Sequence, residues 1–597
     1  MQEMRPDLTA SKMKALTSAS NVACIKNSER DLQRLFRREG LSLPIGPTYV
    51  RFGASQVPYI SLGTWFQFLL EEHPGFLLGG FGLNASGLLL ESFWKNFKSN
   101  CPEHKVFDLH ETRMGRCLPF YLHMDEGVGY RKSGVMVMAM QSPFGEQTME
   151  KFVASEPKGG SRCQADLLNR MASAQCSNAK GSTYKSRFLL NTMPKKLYTG
   201  PRDHVYYDLC QMIADECKFL MEDGLVVHGE KWFPVVMGLK GDQPALIKCG
   251  RFTRSFRSLG EDRGCCWECL AGHSGYPFED VTGAAAWQST VGLVDPWMAN
   301  NASAFVQIPG YDNKVDFFKR DPFHCFKQSI GGHLAASCIV LLAIDLQVWK
   351  VPGQSTEVGQ MFKRAFEDFE FFVRFEWRGH VRNNVKAFTR EIMHFADAKK
   401  FPYSRFKGSD QMLLCRWLKQ LVIYGPVFEG DVVRPGICLA HRSLRGTMDQ
   451  EWLRKVCQAV VDACQGAVSF FHTLHCEGLW LERSVAQKMA DDCGRFCRAY
   501  VDLAQLCHDA HLARFHLEPS LHLFRHFEDD LRRALRRTDL TWVYSPSAHT
   551  CEMDEDFVGK VCRTSRTVHG SAESTARRTV DRYLLRCHSA FDGTLGE

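Results

Sequence analysis

No run of apolar residues in this chain is long enough to cross a bilayer. The longest, Leu334 to Val348 (LAASCIVLLAIDLQV), falls short of the roughly 20 residues that a spanning helix needs, and it carries Asp345. It reads as a buried helix. The opening Met1-Gln-Glu-Met-Arg-Pro lacks the apolar centre of a secretory signal. The 24 cysteines are therefore expected to be reduced thiols rather than a disulfide framework. No repeat of fixed period is present. Charge is not strongly of one sign either: 74 Lys and Arg against 67 Asp and Glu leave +7, which permits nucleic-acid binding without requiring it. With 45% hydrophobic and 24% charged residues the composition is globular, which excludes global disorder. A soluble intracellular protein, nuclear or cytoplasmic, is expected. At 597 residues it holds either several domains or one domain with a large insertion.

Along the chain, the first forty or so residues are polar and read as a frayed arm. SLGTWFQFLLEE from Ser61 and SGLLLESFWKNFKSN from Ser86 have helical spacing after a serine that can cap. Cys117 to Met124 (CLPFYLHM) and Gly134 to Met140 (GVMVMAM) read as adjacent strands. The Gly-, Ser- and Lys-rich stretch Lys158 to Lys185 suits a mobile surface loop. Val205 to Asp223 has a helical pattern, stops at Gly224, and leads into a strand over Trp232 to Leu239. From Val351 to about Ser520 the pattern is almost wholly helical; its aromatics, among them Phe366, Phe369, Phe371, Phe372 and Trp377, are assigned to the core.

Asp125 and Asp242 each close a strand-like run, with Gly127 and Pro244 turning the chain away. An isolated aspartate at a strand end is more often a turn residue accepting backbone hydrogen bonds. The alternative is metal chemistry. Phosphodiester cleavage uses two divalent ions about 3.5–4 Å apart, and hard ions such as Mg²⁺ are held by carboxylate oxygens.

The segment YYDLCQMIADECKFLMEDGLVVHGEKWFPVVMGLKGDQPALIKCGRF, followed by GCCWECLAG, resembles the middle of CACTA (En/Spm) transposases and the related Plavaka type. Upstream, HMDEGVGYRKSGVMVMAMQSPFG is similar to the family's first Asp-Gly strand and its neighbour, with Glu126 inserted between Asp125 and Gly127. Downstream, RDPFHCFKQSIGGHLAASCIVLL resembles the Asp-x-x-His segment, giving Asp321 and His324. His324 reads equally well as a buried, hydrogen-bonded histidine, and Asp321 as a helix cap.

The resemblance implies an α/β fold: an RNase H-like mixed-sheet core interrupted by a large all-helical insertion. The implied boundaries are an arm and helical preface over 1–110, the core over 111–350, the insertion over 351–530 and a basic returning segment over 531–597. It also implies a DDE-type site binding Mg²⁺ or Mn²⁺ through Asp125, Asp242 and a third acid on a late helix. From the cluster Glu552 to Asp556 the resemblance selects Glu555, although the family's surrounding Pro-Glu-Gly pattern is absent; Asp321 is the runner-up. Asp321 and His324 are expected to support the site.

Cys266-x-x-Cys269 has zinc-knuckle spacing, with Cys249, Cys265 and His273 near enough to complete a structural Zn²⁺ site; a chance pair among so many cysteines is the competing reading. Arg532, Arg533, Arg536 and Arg537, then Arg563, Arg566, Arg577, Arg578, Arg582 and Arg586, are either a solvated face or a phosphate-contacting surface.

The implied function is a DNA transposase acting on element ends and target DNA, with no membrane partner and with homo-oligomerisation left open. The alternatives are a catalytically inactive DNA-binding or scaffold descendant, favoured by the lack of a recognisable N-terminal DNA-binding module, and an interaction protein built on the helical half.

Overall fold

The computed structural model describes residues 28–129, 132–156, 163–256, 259, 263–377, 383–424, 428–429, 432–433, 450–568 and 570–593. The fold is mixed α/β. The chain forms two compact units, each assembled from separated stretches: unit 1 from 1–251, 302–319 and 551–597, and unit 2 from 252–301 and 320–550. The helical preface belongs to unit 1 along with the sheet, and the cysteine pair belongs to the helical unit.

In unit 1, a hairpin of β1 (Thr48–Phe52) and β2 (Ser55–Tyr59) precedes the main sheet. That sheet comprises β3 (Cys117–Val128), β4 (Gly134–Gln141), β5 (Phe188–Pro194), β6 (Leu225–Val227) and β7 (Glu230–Lys240), in the order β5-β4-β3-β7-β6. β3 is central, antiparallel to β4 and parallel to β7. Its residues from Cys117 to Asp125 are all buried, and β7 is buried from Trp232 onward, as expected of strands covered on both faces. The parallel β3–β7 pair requires a crossover, and the helix Asp203–Glu222 supplies it, packing Leu209, Ile213 and Cys217 inward.

Several local expectations change in unit 1. β3 does not end at Met124 but runs on to Val128, so Asp125 lies inside the strand, opposite Val137. The stretch expected to be a mobile loop contains the helix Gln164–Ala174, which buries Met171, Ala172 and Ala174; of that stretch, 158–162 lie outside the described residues. β5 follows directly and was hidden by the polar stretch before it. The expected arm includes the helix Ser28–Arg38, whose Arg37 pairs with Asp581 at 2.8 Å; residues 1–27 lie outside the described set. Ser61 caps the helix Leu62–Glu72 by accepting from the Thr64 amide at 3.0 Å, whereas Ser86 instead donates to the Leu83 carbonyl.

Unit 2 is built on the helices Phe323–Asp345, Val358–Phe371, Gly408–Tyr424, Gln450–Cys476, Arg483–Asp509 and Pro519–Arg536. The helical pattern is interrupted over 383–407, which is irregular. The Phe323–Asp345 helix begins earlier than its apolar run. At 23 residues it is the one described helix long and apolar enough to cross a membrane, and 83% of its most apolar stretch is buried inside the protein. Its Asp345 is neutralised by buried Arg514 at 2.9 Å, which removes the cost of an isolated charge. Phe326, Phe470, Phe471, Phe496 and Phe524 form one aromatic cluster. Of the aromatics assigned to the core, Phe369 and Phe372 are buried, but Phe371 is 56% exposed and packs on Phe375.

Candidate functional site

In unit 1 the late helix Glu552–Arg566 lies against β3, and Gly127 explains how it comes so close. A Cβ at Gly127 would stand 2.5 Å from Cys562 Sγ and 2.7 Å from Val558 Cγ1. Gly127 is therefore needed for space rather than to turn the chain out of the sheet. The approach brings one carboxylate oxygen of Glu555 within 4.8 Å of one of Asp125. Both carboxylates face the buried Cys562 thiol: burial pushes it up to about 12, and the two negative charges add to the rise.

The neighbouring acids of the cluster have other roles. Asp554 is fully buried and bonds to Lys240 Nζ at 3.1 Å and Arg187 Nε at 3.4 Å, both cations also buried. Burial opposes its ionisation, but Lys240 and Arg187 overcome this and hold the carboxyl well below its usual range. Asp556 pairs with Lys560 at 2.7 Å. Asp554 thus ties the start of the late helix to the ends of β5 and β7, next to the residue that approaches Asp125.

Asp242 follows Gly241, which packs against the Met124 carbonyl, and lies two residues past the last β3–β7 pair, His123 with Lys240. One Asp242 oxygen accepts from the Ala245 amide at 2.7 Å and caps the helix Gln243–Gly250, the ordinary role of such a residue. Its carboxylate is not a member of the Asp125–Glu555 cluster.

In unit 2, Asp321 caps the Phe323–Asp345 helix: its oxygens accept from the amides of Phe323 (2.9 Å) and His324 (3.1 Å). The second oxygen also lies 2.5 Å from His324 Nδ1, so Asp321 orients the imidazole it precedes.

Unit 2 also contains a buried cluster of Cys266, Cys269, His522 and His526. The pair His522 and His526 lies one turn apart on the Pro519–Arg536 helix, which puts both rings on one face. His522 Nε2 lies 3.2 Å from Cys269 Sγ, His526 Nε2 lies 3.5 Å from Cys266 Sγ and 3.6 Å from Cys269 Sγ, and the two Nε2 atoms are 3.0 Å apart. Tetrahedral bonds of about 2.3 Å to sulfur and 2.0–2.1 Å to nitrogen would separate the ligands by roughly 3.3–3.8 Å. The cluster has these dimensions within a few tenths of an ångström.

The loop that carries the cysteines is held from within. Buried Arg254 donates to the carbonyls of Cys266, Trp267 and Val294 at 2.7–3.0 Å. The Glu268 amide donates to Cys266 Sγ at 3.4 Å. Burial lowers His526 to about 4, which keeps the ring neutral and its lone pair available. Burial alone would raise Cys266, but its bond with Cys269 and the adjacent histidines hold it well below the ordinary thiol value.

The expected partners Cys249, Cys265 and His273 are not part of this group. Cys249 belongs to unit 1, where its Sγ meets the Leu246 carbonyl. Cys265 is buried, with its thiol pushed up by desolvation. His273 Nε2 is buried without a hydrogen-bond partner and lies against Gly264. His522 and His526 have a sequence signal of their own, His-x-x-x-His on a helix, far downstream of the cysteine pair.

Three of the four arginines expected on the Pro519–Arg536 stretch are occupied by carboxylates: Arg532 with Glu528 and Asp491, Arg533 with Asp530, and Arg537 with Asp539. In unit 1, Arg566 donates to the Val128 carbonyl at 2.6 and 3.0 Å, tying the late helix to the end of β3. Arg582 binds Thr567, and Arg586 binds Thr564.

Gly127→Ala is expected to lose about 1–3 kcal/mol of stability, the usual cost of overpacking, and to move Glu555 away from Asp125. A lowered urea midpoint with unchanged slope would show the first effect. No family model matches the chain, and no curated protein sequence is significantly similar to it.

Proposed function

We propose that unit 1 is the RNase H-like core of a DDE-type, transposase-like nuclease that cuts DNA and joins the freed 3′ hydroxyl to a target, unit 2 corresponding to the helical insertion of that plan. The observation that carries this reading is the approach of Glu555, on a helix near the chain's end, to Asp125 on the central strand of a mixed sheet. Asp125 and Glu555 each offer carboxylate oxygens, which suit Mg²⁺ or Mn²⁺. Divalent ions held there would activate an oxygen nucleophile and stabilise the leaving oxygen. Asp125 is fixed by the strand, and Glu555 by the Asp554 clamp and by the close seat over Gly127. Asp242, just past the end of β7, would join the ligand set by releasing the Ala245 amide.

The test is DNA nicking by the full chain with Mg²⁺ or Mn²⁺. Cleavage should fall to background in Asp125→Asn and in Glu555→Gln while both variants stay folded. Equal cleavage by either variant would remove that residue from the site.

One observation favours the second reading, an inactive DNA-binding or scaffold descendant: Asp242 already serves as a helix cap. Salt-sensitive DNA binding without cleavage by the wild-type chain would select it. Failure to bind any DNA at low salt would defeat both.

A further inference from the structure

In unit 2, at the start of the helix that carries His522 and His526, His333 meets His516 and Glu518 in a way their local roles do not explain. Glu518 occupies the N-cap position of the Pro519–Arg536 helix, where a carboxylate ordinarily accepts from the first amides, yet it makes no cap hydrogen bond. It turns instead to two histidines. Its Oε1 lies 2.9 Å from His333 Nε2 and 3.4 Å from His516 Nδ1. The three donor atoms all lie within 4.8 Å of one another.

Each of two donors is oriented from behind. His333 Nδ1 is 2.9 Å from the Pro402 carbonyl, which can only accept, so Nδ1 carries the proton and Nε2 is aimed at the cluster. Glu518 Oε2 accepts from Ser329 Oγ at 3.1 Å, which fixes the carboxylate plane. Backing hydrogen bonds of this kind set the tautomer and direction of metal-ligating side chains. Tyr403 packs on the His333 ring and Phe401 on the His516 ring, both at 4.7 Å, walling the cluster with aromatics. His333 is buried, while the side chains of His516 and Glu518 are 45% and 29% exposed, so the cluster opens to solvent on one side.

The geometry points to a second metal site, formed by His333, His516 and Glu518, that takes one divalent transition ion, zinc first, and leaves a coordination position open to water. Two imidazole nitrogens favour zinc over magnesium or calcium, and three protein ligands with an open fourth position distinguish this site from the closed Cys2His2 cluster. A proton on His333 Nε2 can join the same two groups without metal, which is the alternative to be tested.

The experiment is metal content per chain after equilibrium dialysis of the full protein against micromolar zinc. Wild type should hold one more ion than His516→Ala or Glu518→Gln. His516 is half exposed, so its replacement should leave the fold intact, as circular dichroism would check. Equal metal content in folded wild type and His516→Ala overturns the site. Cobalt gives a second readout in the unmodified chain. Nitrogen and oxygen ligands produce visible bands beyond those that accompany the thiolate charge transfer of the Cys2His2 cluster, and a spectrum that saturates at the thiolate site alone also overturns the proposal.

Discussion

Cys269→Ser or His522→Ala should release one zinc ion per chain and unfold the part of unit 2 around the 252–301 stretch and the Pro519–Arg536 helix. Four ligands with no exposed atom leave no position for substrate, so the cluster is suited to structure rather than catalysis. In small structural sites zinc binding supplies on the order of 10 kcal/mol at neutral pH, more than the stability of many whole domains. Two stretches more than two hundred residues apart in sequence meet here, so losing one ligand frees both. Loss of helical circular dichroism, together with zinc release measured by a chromogenic chelator, checks this. Retention of metal and of a wild-type melting temperature in both variants would show that the cluster binds no ion. A chelator added to wild type should reproduce the effect slowly, because every ligand is buried.

The other large effect is expected at Asp554. Asp554→Ala would leave Lys240 and Arg187 as buried cations without their shared counter-ion, and breaking a buried pair in this way costs about 3–5 kcal/mol. Asp554→Asn should cost less, since an amide oxygen still accepts one hydrogen bond. The same group makes stability depend on acid. Its folded-state carboxyl is held well below the ordinary value, by Lys240 and Arg187 against the opposing effect of burial. Its stabilisation is therefore fully present above the unfolded pKa near 3.9 and is lost as pH falls below that, through the folded value. Urea midpoints of wild type and Asp554→Asn should thus converge as pH falls through the carboxylate range. A constant gap down to the acid limit would mean that the triad carries no net charge energy. Because Asp554 adjoins Glu555, the Asn variant should also weaken any Mg²⁺-dependent cleavage more than its stability loss alone requires.

Much of the sheet was legible in the sequence because strands and helices write their period locally. The apolar runs before Asp125 and Asp242 and the helical spacing over Val205 to Asp223 correspond to β3, β7 and the crossover helix. Cys266-x-x-Cys269 was legible for the same reason: two ligands on one tight loop have fixed spacing. β5 was not, because a short apolar run after a polar stretch carries too little pattern to separate it from a loop.

What the sequence by itself determined, then, is confined to interactions between near neighbours: the periodic elements, the half-site of cysteines, and a C-terminal acidic cluster at a helix start. Only the tertiary structure decided which partners complete them. His522 and His526 rather than Cys249, Cys265 or His273 close the cysteine site, and Glu555 rather than Asp554 approaches Asp125. Adjacent positions on a helix point about 100° apart, so a carboxylate one residue over can be buried in an ion triad while its neighbour faces the strand. Gly127 shows the same limit: its φ is ordinary, and its necessity comes from a helix that arrives from the other end of the chain. Long-range proximity leaves no spacing rule in the sequence, and the packing of the folded chain supplies it.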